Sequence, residues 1–475
     1  MENEKIPFKL SLVLSPVTCT LLKNEEIQRL YIEYLDRRIA LGDEELERNK
    51  NDSQLLDLCR KQITAFQKCR VDFIDTYKQD LVAKFKEFVK KKYIEIIPTA
   101  ATYAYLPQYA SMAEALNAQI ETGLQASRHF FSDTGYGFYL PYLGFTEEIE
   151  ERLRAYNVSY TILDTKALLF SEGYGGGKGI FSPVRGNRSL VFFTRDPDTP
   201  SDIRGNSGFM TASCYKNQQS DVGYDLPGEY LESFLGNCKI RVQTLYKYRN
   251  NLGQTYSFEE AEAQVEKDAL AFYQAKKAKL EEAASILNDD AQLVCLMPAE
   301  LLGQTWAEGL SFFEQVIRLV AKDGSITLSS CNENIQKQYS LTKIKPYQCG
   351  GSGTGYGEDL VDSSNSFLIR HVRTATERMI DLTGRFPSET GLKARLLAMG
   401  AREVLLAQSG EWPKMIHEGK DPDWAERSFT KNILSFTNVF DSLASNTVST
   451  EWLTNMEKDH AIFPWLNYRV FARKK

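Results

Sequence analysis

Short apolar runs alternate with helical stretches along the first two thirds of the chain. Seven of these runs have the length and composition of buried strands: residues 10–14 (LSLVL), 93–97 (YIEII), 137–140, 160–163 (YTIL), 190–193 (LVFF), 293–297 and 325–328. Strands that alternate with helices predict a parallel sheet with crossover connections. About seven strands suit a barrel, but the strand count alone does not separate a closed barrel from an open sheet.

Apolar residues at helical spacing are clearest in residues 53–92 and in residues 257–287. The second region opens with Ser257 and Glu260, which have the spacing of a capping box. From residue 365 onward the pattern is helical almost to the end. The first helix there has one apolar face: Leu368, Val372, Ala375, Met379 and Leu382.

These patterns divide the chain into three parts. Residues 1–330 are predicted to form a barrel domain, and a stretch rich in Gly, Asp, Asn and Ser at about residues 198–256 is predicted to be a lid-like insertion. Residues 331–364 form a Gly-rich connector with CGGSGTGYGED at its centre, and residues 365–475 form a C-terminal helical domain.

Composition excludes several classes of function. Of 475 residues, 43% are hydrophobic and 25% charged, as in ordinary globular proteins. A net charge of −6 argues against nucleic acid or an anionic membrane as partner. The N-terminus has no signal pattern and no run is long enough to cross a bilayer, so we expect a cytoplasmic protein.

Cysteine and histidine usage predicts no metal site and no cofactor. The eight cysteines form no CxxC motif and the four histidines are scattered, so free thiols are expected. The segment GYGGGKG at residues 173–179 lacks the first Gly and the final Ser or Thr of a phosphate-binding loop. We interpret it as a flexible turn.

A series of distinctive segments points to one known family. In chain order they are TAATYAYLP (99–107), GFYLP (137–141), DT (164–165), FTRDP (193–197), GYDLP (223–227), KYR (247–249), AELLGQTW (299–306) and AREVLLAQSGEW (401–412). They resemble segments of glycoside hydrolase family 57, in the branch that includes 1,4-α-glucan branching enzymes. The family's versions read AATHGYLP, GFWLP, DTH, FGRDP, GYDLP, KYR, AELFGHWW and ARELLLAQSSDW.

The resemblance covers nearly the whole chain and carries a fold with it. It implies an α/β protein with a (β/α)7 barrel of the family 57 type, an inserted lid region and a C-terminal all-α helical domain. This agrees with the hydrophobic pattern. It also implies an α-glucan cleft at the C-terminal mouth of the barrel and a role in α-glucan or glycogen metabolism.

Both carboxylates that perform the family's chemistry are replaced. The resemblance places the nucleophile directly after GFWLP, where this chain has Tyr142, and the acid/base directly before AEL, where it has Pro298. Two histidines of the family are replaced by Tyr103 and Gln304. Retaining glycosidases need two carboxyl groups about 5–5.5 Å apart. We therefore expect no intact catalytic residue.

The residues expected to contact a sugar are those at the family's cleft positions: Tyr103, Tyr142, Asp164, Asp196, Gln304, Trp306, Glu411 and Trp412. Each has a simpler alternative. For Asp164 and Asp196 two roles stay open: each carboxylate either hydrogen-bonds sugar hydroxyls or orients the loops at the barrel mouth. Each Trp either contacts sugar or fills the core.

Three functions remain open at this point. The first is a pseudoenzyme that binds α-glucan or another oligosaccharide, or that scaffolds another protein of carbohydrate metabolism. The second is an active branching enzyme or transglycosidase with relocated catalytic residues, in which Tyr142 is the nucleophile and Glu300 lies close to the lost acid. The third is a structural or interaction protein whose cleft is closed by Tyr103, Tyr142 and neighbouring rings.

Overall fold

The computed structural model divides the chain into two compact units. It describes residues 1, 4–132, 134–175, 177–236, 241–336, 341–352 and 354–474. The first unit comprises Met1–Lys9, Leu22–Glu87 and Asp196–Ser329, and the second comprises Leu10–Leu21, Phe88–Arg195 and Ser330–Lys475. Parts of three predicted features lie outside the described residues: Gly176 of the GYGGGKG turn, residues 237–240 of the insertion (with Cys238), and residues 337–340 and 353 of the connector.

Parallel strand pairing organises the second unit. Its strands are β1 (Leu10–Leu12), β2 (Ile94–Ile96), β3 (Tyr160–Leu163), β4 (Val184–Arg185) and β5 (Val191–Thr194). β1 pairs with β2 and β3 with β5, both in parallel, and β4 lies antiparallel to β5. Parallel bridges from Thr99 to Tyr139 and from Gly137 to Tyr160 involve the segment between β2 and β3. The predicted parallel arrangement is therefore confirmed for these strands.

Helices make up most of the rest of the second unit. They are Pro16–Lys23, Ala113–Phe131, Glu147–Ala155, Thr165–Leu169, Cys331–Gln336, Phe367–Arg385, Gly391–Ala407, Glu411–Glu418, Pro422–Ser445 and Thr450–Asp459, with short 3-10 turns at Leu106–Tyr109, Pro141–Leu143, Gly179–Phe181 and Tyr468–Phe471. The predicted face of the helix Phe367–Arg385 is buried, because Leu368, Val372 and Met379 each expose 4% or less. The all-α character of the C-terminal region is confirmed.

The first unit is helical around its own core. Its helices are Glu25–Arg48, Ser53–Val71, Leu81–Lys90, Asp198–Arg204, Val222–Asp225, Gly228–Leu231, Phe258–Leu287 and Gly309–Asp323, with a π-helix at Asp72–Thr76 and 3-10 turns at Phe209–Thr211, Glu232–Phe234 and Ala299–Leu301. Ser257 caps Phe258–Leu287 as expected, because its hydroxyl accepts a hydrogen bond from the Glu260 backbone N–H at 3.3 Å. No helix in the described ranges is long and apolar enough to span a membrane.

One local prediction was wrong, and another was confirmed only in part. Residues 325–328 form no strand, since the preceding helix ends at Gly324 with φ 72° and the Asp323 side chain accepts the Ser325 N–H at 3.1 Å, which makes a turn. The helix predicted over residues 53–92 is interrupted at Lys78 and Gln79, whose φ angles are 51° and 62°.

Two predicted strands are reduced to single bridges. Residues 137–140 contribute the bridges of Gly137 and Tyr139. Within residues 293–297, the carbonyl of Val294 accepts a hydrogen bond from the Asp196 N–H at 2.8 Å.

Candidate functional site

Two predicted site residues of the second unit, Tyr142 and Asp164, follow the ends of neighbouring parallel strands, and so does Arg195, which the sequence did not predict. Tyr142 comes after the bridged segment 137–139, Asp164 directly follows β3, and Arg195 directly follows β5. The carboxyl ends of parallel strands meet at one edge, which is where active sites of α/β proteins are built. Tyr142, Asp164 and Arg195 therefore lie at the carboxyl-end edge of the parallel strands, where active sites of this class of fold are usually found.

Tyr142 is buried within a group of aromatic rings. Its side chain belongs to a cluster with Tyr105 and Leu360, against which Tyr103 packs; we call these four residues the tyrosine cluster. The Tyr142 ring centroid lies 5.2 Å from that of Tyr103 and 6.5 Å from that of Tyr105, both edge to face. Tyr142 exposes only 9% of its surface. A packed ring therefore occupies the position at which the family resemblance places the nucleophile.

The Tyr142 hydroxyl has a defined acceptor. It donates a hydrogen bond of 2.9 Å to Oε1 of Glu411, the first residue of the helix Glu411–Glu418. Burial raises the pKa of Tyr142 well above its ordinary value, and the negative charge of Glu411 raises it further. The phenol therefore keeps its proton at neutral pH and acts as a hydrogen-bond donor.

The backbone around these rings is strained. Tyr103 and Tyr142 both have φ 54°, and Leu143 has φ 51°, in the left-handed region that residues with a side chain rarely adopt. Such conformations persist where the surrounding structure fixes them, and they cluster at functional sites. The two strained tyrosines are the residues that replace a histidine and the nucleophile of the resembled family.

The Gly-rich connector contacts the tyrosine cluster. The Gly351 N–H donates to the Tyr142 carbonyl at 2.7 Å, and the Tyr105 hydroxyl donates to the Tyr356 carbonyl at 3.0 Å. A Cβ atom on Gly357 would lie 2.6 Å from Cζ of Tyr105, so only glycine fits there. The connector thus packs directly on the rings that occupy the site.

Gly410 fits beneath the Tyr142 ring. A Cβ atom at this position would lie 2.5 Å from Cε2 of Tyr142 and 3.0 Å from the Tyr103 carbonyl oxygen. In AQSGEW, Gly410 stands where the resembled motif AQSSDW has Ser. The sequence departs from the motif at both residue 142 and residue 410, and a side chain at residue 410 would collide with the Tyr142 ring.

Asp164 is held by neighbouring groups. Its Oδ1 accepts the Lys166 N–H at 3.0 Å and caps the helix Thr165–Leu169, while Oδ2 lies 2.5 Å from Arg195. Asp164 exposes 4% of its surface. This arrangement favours the orienting role of the two that the sequence left open.

Trp412 packs on the C-terminal helices. Its indole N–H donates to the Leu406 carbonyl at 2.7 Å, and its ring packs against Leu368, Val372 and Phe429. Beyond it lies the half-exposed Trp424, with ring centroids 5.5 Å apart. Glu411 is exposed apart from its contact with Tyr142.

In the first unit, Asp196 is a buried ion-pair centre. It is fully buried, with Lys276 at 2.6 Å, Lys279 at 2.5 Å and the Thr199 hydroxyl at 2.7 Å. Burial by itself opposes ionisation, but hydrogen bonds from the two lysines outweigh it and lower the pKa of Asp196 to about 2. These three side-chain contacts favour a structural role for Asp196.

The remaining predicted residues of the first unit have different surroundings. Trp306 exposes 2% and packs against Tyr215 and Phe312, with ring centroids 5.7 and 5.0 Å away. Gln304 is exposed. Pro298 precedes the 3-10 turn Ala299–Leu301 and has no titratable group.

Sequence reasoning missed the residues that complete the tyrosine cluster. Tyr105 lies inside the TAATYAYLP segment and Leu360 in the polar connector, and neither departs from a pattern in a way that marks it. Gly410, which lies against the cluster without belonging to it, could have been noticed from the sequence, because it replaces a Ser of the motif.

Comparisons with known proteins agree with this architecture. The family profile described as "Glycosyl hydrolase family 57" matches residues 2–347, and the profile "1,4-alpha-glucan branching enzyme, C-terminal" matches residues 371–471. The 1,4-alpha-glucan branching enzyme TK1436 of Thermococcus kodakarensis is 22% identical over 94% of this chain and 67% of its own length.

Solved structures share the fold. The alpha-amylase AmyC of Thermotoga maritima superposes with a TM-score of 0.91 at 25% identity, covering 99% of this chain and 91% of that one. The branching enzyme of Pyrococcus horikoshii gives a TM-score of 0.89 at 18% identity, covering 100% of this chain and 89% of that one.

Parallel strands with site residues at their carboxyl ends, followed by an all-α region, define a carbohydrate-active protein with a (β/α)7 barrel and a C-terminal helical domain. The chain belongs to glycosyl hydrolase family 57 and is related to the branching enzymes of that family.

Proposed function

We propose that this chain is a non-catalytic member of family 57 that binds α-glucan in carbohydrate metabolism and neither breaks nor forms glycosidic bonds. One observation carries the proposal. At the position of the family's nucleophile, a buried phenol donates a 2.9 Å hydrogen bond to Glu411, where the reaction needs a carboxylate facing the sugar.

The chemistry of the reaction explains why this replacement matters. A retaining glycosidase needs one group to attack the anomeric carbon and a second to protonate the departing oxygen. The raised pKa of Tyr142 keeps its oxygen protonated and weakly nucleophilic, and Pro298 has no proton to give. Loss of one such group already lowers turnover by several orders of magnitude.

The relatives support α-glucan as the ligand. A related chain is a 1,4-alpha-glucan branching enzyme, and a structure of that enzyme from Thermococcus kodakaraensis contains glucose. The latter aligns with 100% of this chain at a TM-score of 0.89. A linear α-glucan chain is therefore the ligand to test first.

A second candidate is an active transglycosidase, and the contact between Tyr142 and Glu411 is the observation that favours it. Some glycosidases use tyrosine as the nucleophile. Glu411 would accept the phenol proton as the phenolate attacks the anomeric carbon, and a separate acid would protonate the departing oxygen. Glu300, the acid suggested by sequence, is exposed on the 3-10 turn Ala299–Leu301.

Turnover and binding assays separate these functions. The purified chain is incubated with amylose, and new reducing ends and branch points are measured for the wild type and Tyr142→Phe. Calorimetry with maltoheptaose and glycogen measures binding. The proposal expects binding without turnover. Turnover that disappears in Tyr142→Phe establishes the second candidate, and the absence of both binding and turnover leaves a protein that scaffolds a partner of carbohydrate metabolism.

A further inference from the structure

Three aromatic side chains of the second unit form an exposed group outside the tyrosine cluster. Phe170 exposes 64% of its surface, Tyr347 exposes 42% and Tyr356 exposes 59%. We call these three residues the aromatic patch. None of them lies in one of the short motif segments named in the sequence analysis, and large exposed rings grouped together commonly mark a binding surface.

Tyr347 lies between the other two rings and is close to both. The centroids of Phe170 and Tyr347 lie 5.8 Å apart, with their planes at 64°. The Tyr356 hydroxyl lies 3.4 Å from the Tyr347 hydroxyl, within hydrogen-bond distance. The patch therefore consists of three adjoining rings, two of which carry a phenol hydroxyl.

Backbone contacts hold the patch in place. The Tyr347 N–H donates to the Ala167 carbonyl at 2.9 Å, which ties it to the helix that precedes Phe170. The Tyr356 N–H donates to Glu358 at 3.2 Å. A surface fixed before a ligand arrives loses little conformational entropy on binding.

The charged side chains beside the patch carry both signs. Glu172 and Lys345 exchange backbone hydrogen bonds of 3.0 and 2.9 Å, and the Lys345 ammonium lies 3.6 Å from Glu147 and 4.0 Å from Glu172. The one ammonium among these three described side chains is paired with carboxylates, so they offer no free cation to an anionic ligand, and the rings and hydroxyls of the patch complement an uncharged ligand that has apolar C–H faces and many hydroxyl groups.

The patch is also continuous with the candidate site. The Tyr356 carbonyl accepts the hydrogen bond of Tyr105, and the Tyr105 ring packs on Tyr142. Tyr142 exposes only 9% of its surface, whereas the three rings of the patch are open to solvent.

We infer that the aromatic patch is a platform for a linear α-1,4-glucan chain, an inference that rests on the proposed function. Pyranose rings would pack their C–H faces on Phe170 and Tyr347, and the two phenols would hydrogen-bond sugar hydroxyls. Three half-exposed rings offer roughly 300 Å². A stable protein partner needs about 800 Å² on each side, so the patch fits an oligosaccharide better than a protein.

The test compares glucan affinity between matched variants of the full chain. Calorimetry with maltoheptaose and gel retardation in glycogen measure binding by wild type, Phe170→Ala, Tyr347→Ala and the double variant. Each single variant is expected to bind about 5-fold more weakly, and the double variant more than 10-fold more weakly. Tyr347→Phe keeps the ring and is expected to retain most of the affinity.

Tyr136→Ala serves as the control, because Tyr136 exposes 63% in the same unit but is not part of the patch. It is expected to bind as the wild type does, and thermal melts establish that every variant is folded. If the wild type binds and the double variant binds equally well, the patch inference is overturned while the proposed function stands.

A wild type that binds no glucan overturns the proposed function and this inference with it. Light scattering of wild type and double variant covers a further alternative. A loss of self-association in the double variant, with unchanged glucan binding, would assign the patch to contact with a second copy of the chain and overturn the inference.

Discussion

The Tyr142 hydroxyl donates its hydrogen bond to the Glu411 carboxylate across 269 residues of sequence. The contact joins the end of a parallel strand segment to the first residue of a C-terminal helix. At this position the family resemblance places a carboxylate that attacks sugar. In this chain the position instead fixes one part of the second unit to another.

Restoring the family's residue alone is not expected to restore turnover. Tyr142→Glu would place a second carboxyl group beside Glu411 in a largely buried site, and Pro298 would still supply no proton. We expect no new reducing ends from amylose, and a free energy of unfolding lower by about 1–3 kcal/mol. Urea denaturation and a reducing-sugar assay measure both, with Tyr142→Phe as the milder comparison. Amylose hydrolysis by Tyr142→Glu would show that another group supplies the acid.

Gly410→Ala is expected to destabilise the chain. The added methyl group would lie 2.5 Å from the Tyr142 ring, and overpacking of this kind typically costs about 1–3 kcal/mol. Gly384→Ala is the matched control, because no atom lies within 4 Å of its Cβ and it lies in the helix Phe367–Arg385. That variant should gain about 0.5–1 kcal/mol from helix propensity. The midpoint of chemical denaturation should therefore fall for Gly410→Ala and rise for Gly384→Ala.

Asp196 is expected to make stability depend on acid pH. Its pKa in the folded chain is lowered to about 2 from 3.8, so the stabilisation is fully present above about pH 4. It is lost as the pH falls from 4 towards 2. Asp196→Asn should lower the free energy of unfolding at pH 7 by about 2–3 kcal/mol, and by less at pH 3.

Denaturation curves at both pH values test this dependence. Asp290→Asn removes an exposed carboxylate of the same unit and should leave both curves close to those of the wild type. An equal effect of Asp196→Asn at pH 7 and pH 3 would contradict the assigned linkage.

Trp306 is expected to act through packing. Trp306→Ala should lower the free energy of unfolding by about 3–5 kcal/mol, because the ring exposes 2% and contacts Tyr215 and Phe312. Trp306→Phe keeps most of that packing and should bind maltoheptaose as the wild type does. A selective loss of glucan affinity in Trp306→Phe, without loss of stability, would instead identify a sugar contact.

Sequence patterns predicted those elements that local chemistry determines. The run at residues 160–163 (YTIL) is short and rich in aromatic and β-branched residues, and β3 has those same bounds. Residues 325–328 also alternate polar and apolar, but a four-residue pattern cannot outweigh the turn that Gly324 and Asp323 form. The interruption near residue 78 had a signal in Asp80, whose side chain accepts the Ala83 N–H at 2.9 Å and begins the next helix.

The site was predictable in position but not in its contacts. The motif segments identified Tyr142 and Glu411 as candidate site residues, but each from a different segment and without a predicted contact between them. Their hydrogen bond depends on tertiary packing that no local period encodes. The same holds for Tyr105 and Leu360, which became part of the site only through the fold.

The fit of Gly410 beneath Tyr142 has a consequence for how this chain can change. A smaller side chain at residue 142 would leave unfilled space above a glycine, and a larger side chain at residue 410 would collide with the ring that is there. Either of these two changes made alone is therefore destabilising. Residues 142 and 410 are therefore coupled, and a substitution at one of them is expected to be tolerated best together with a substitution at the other.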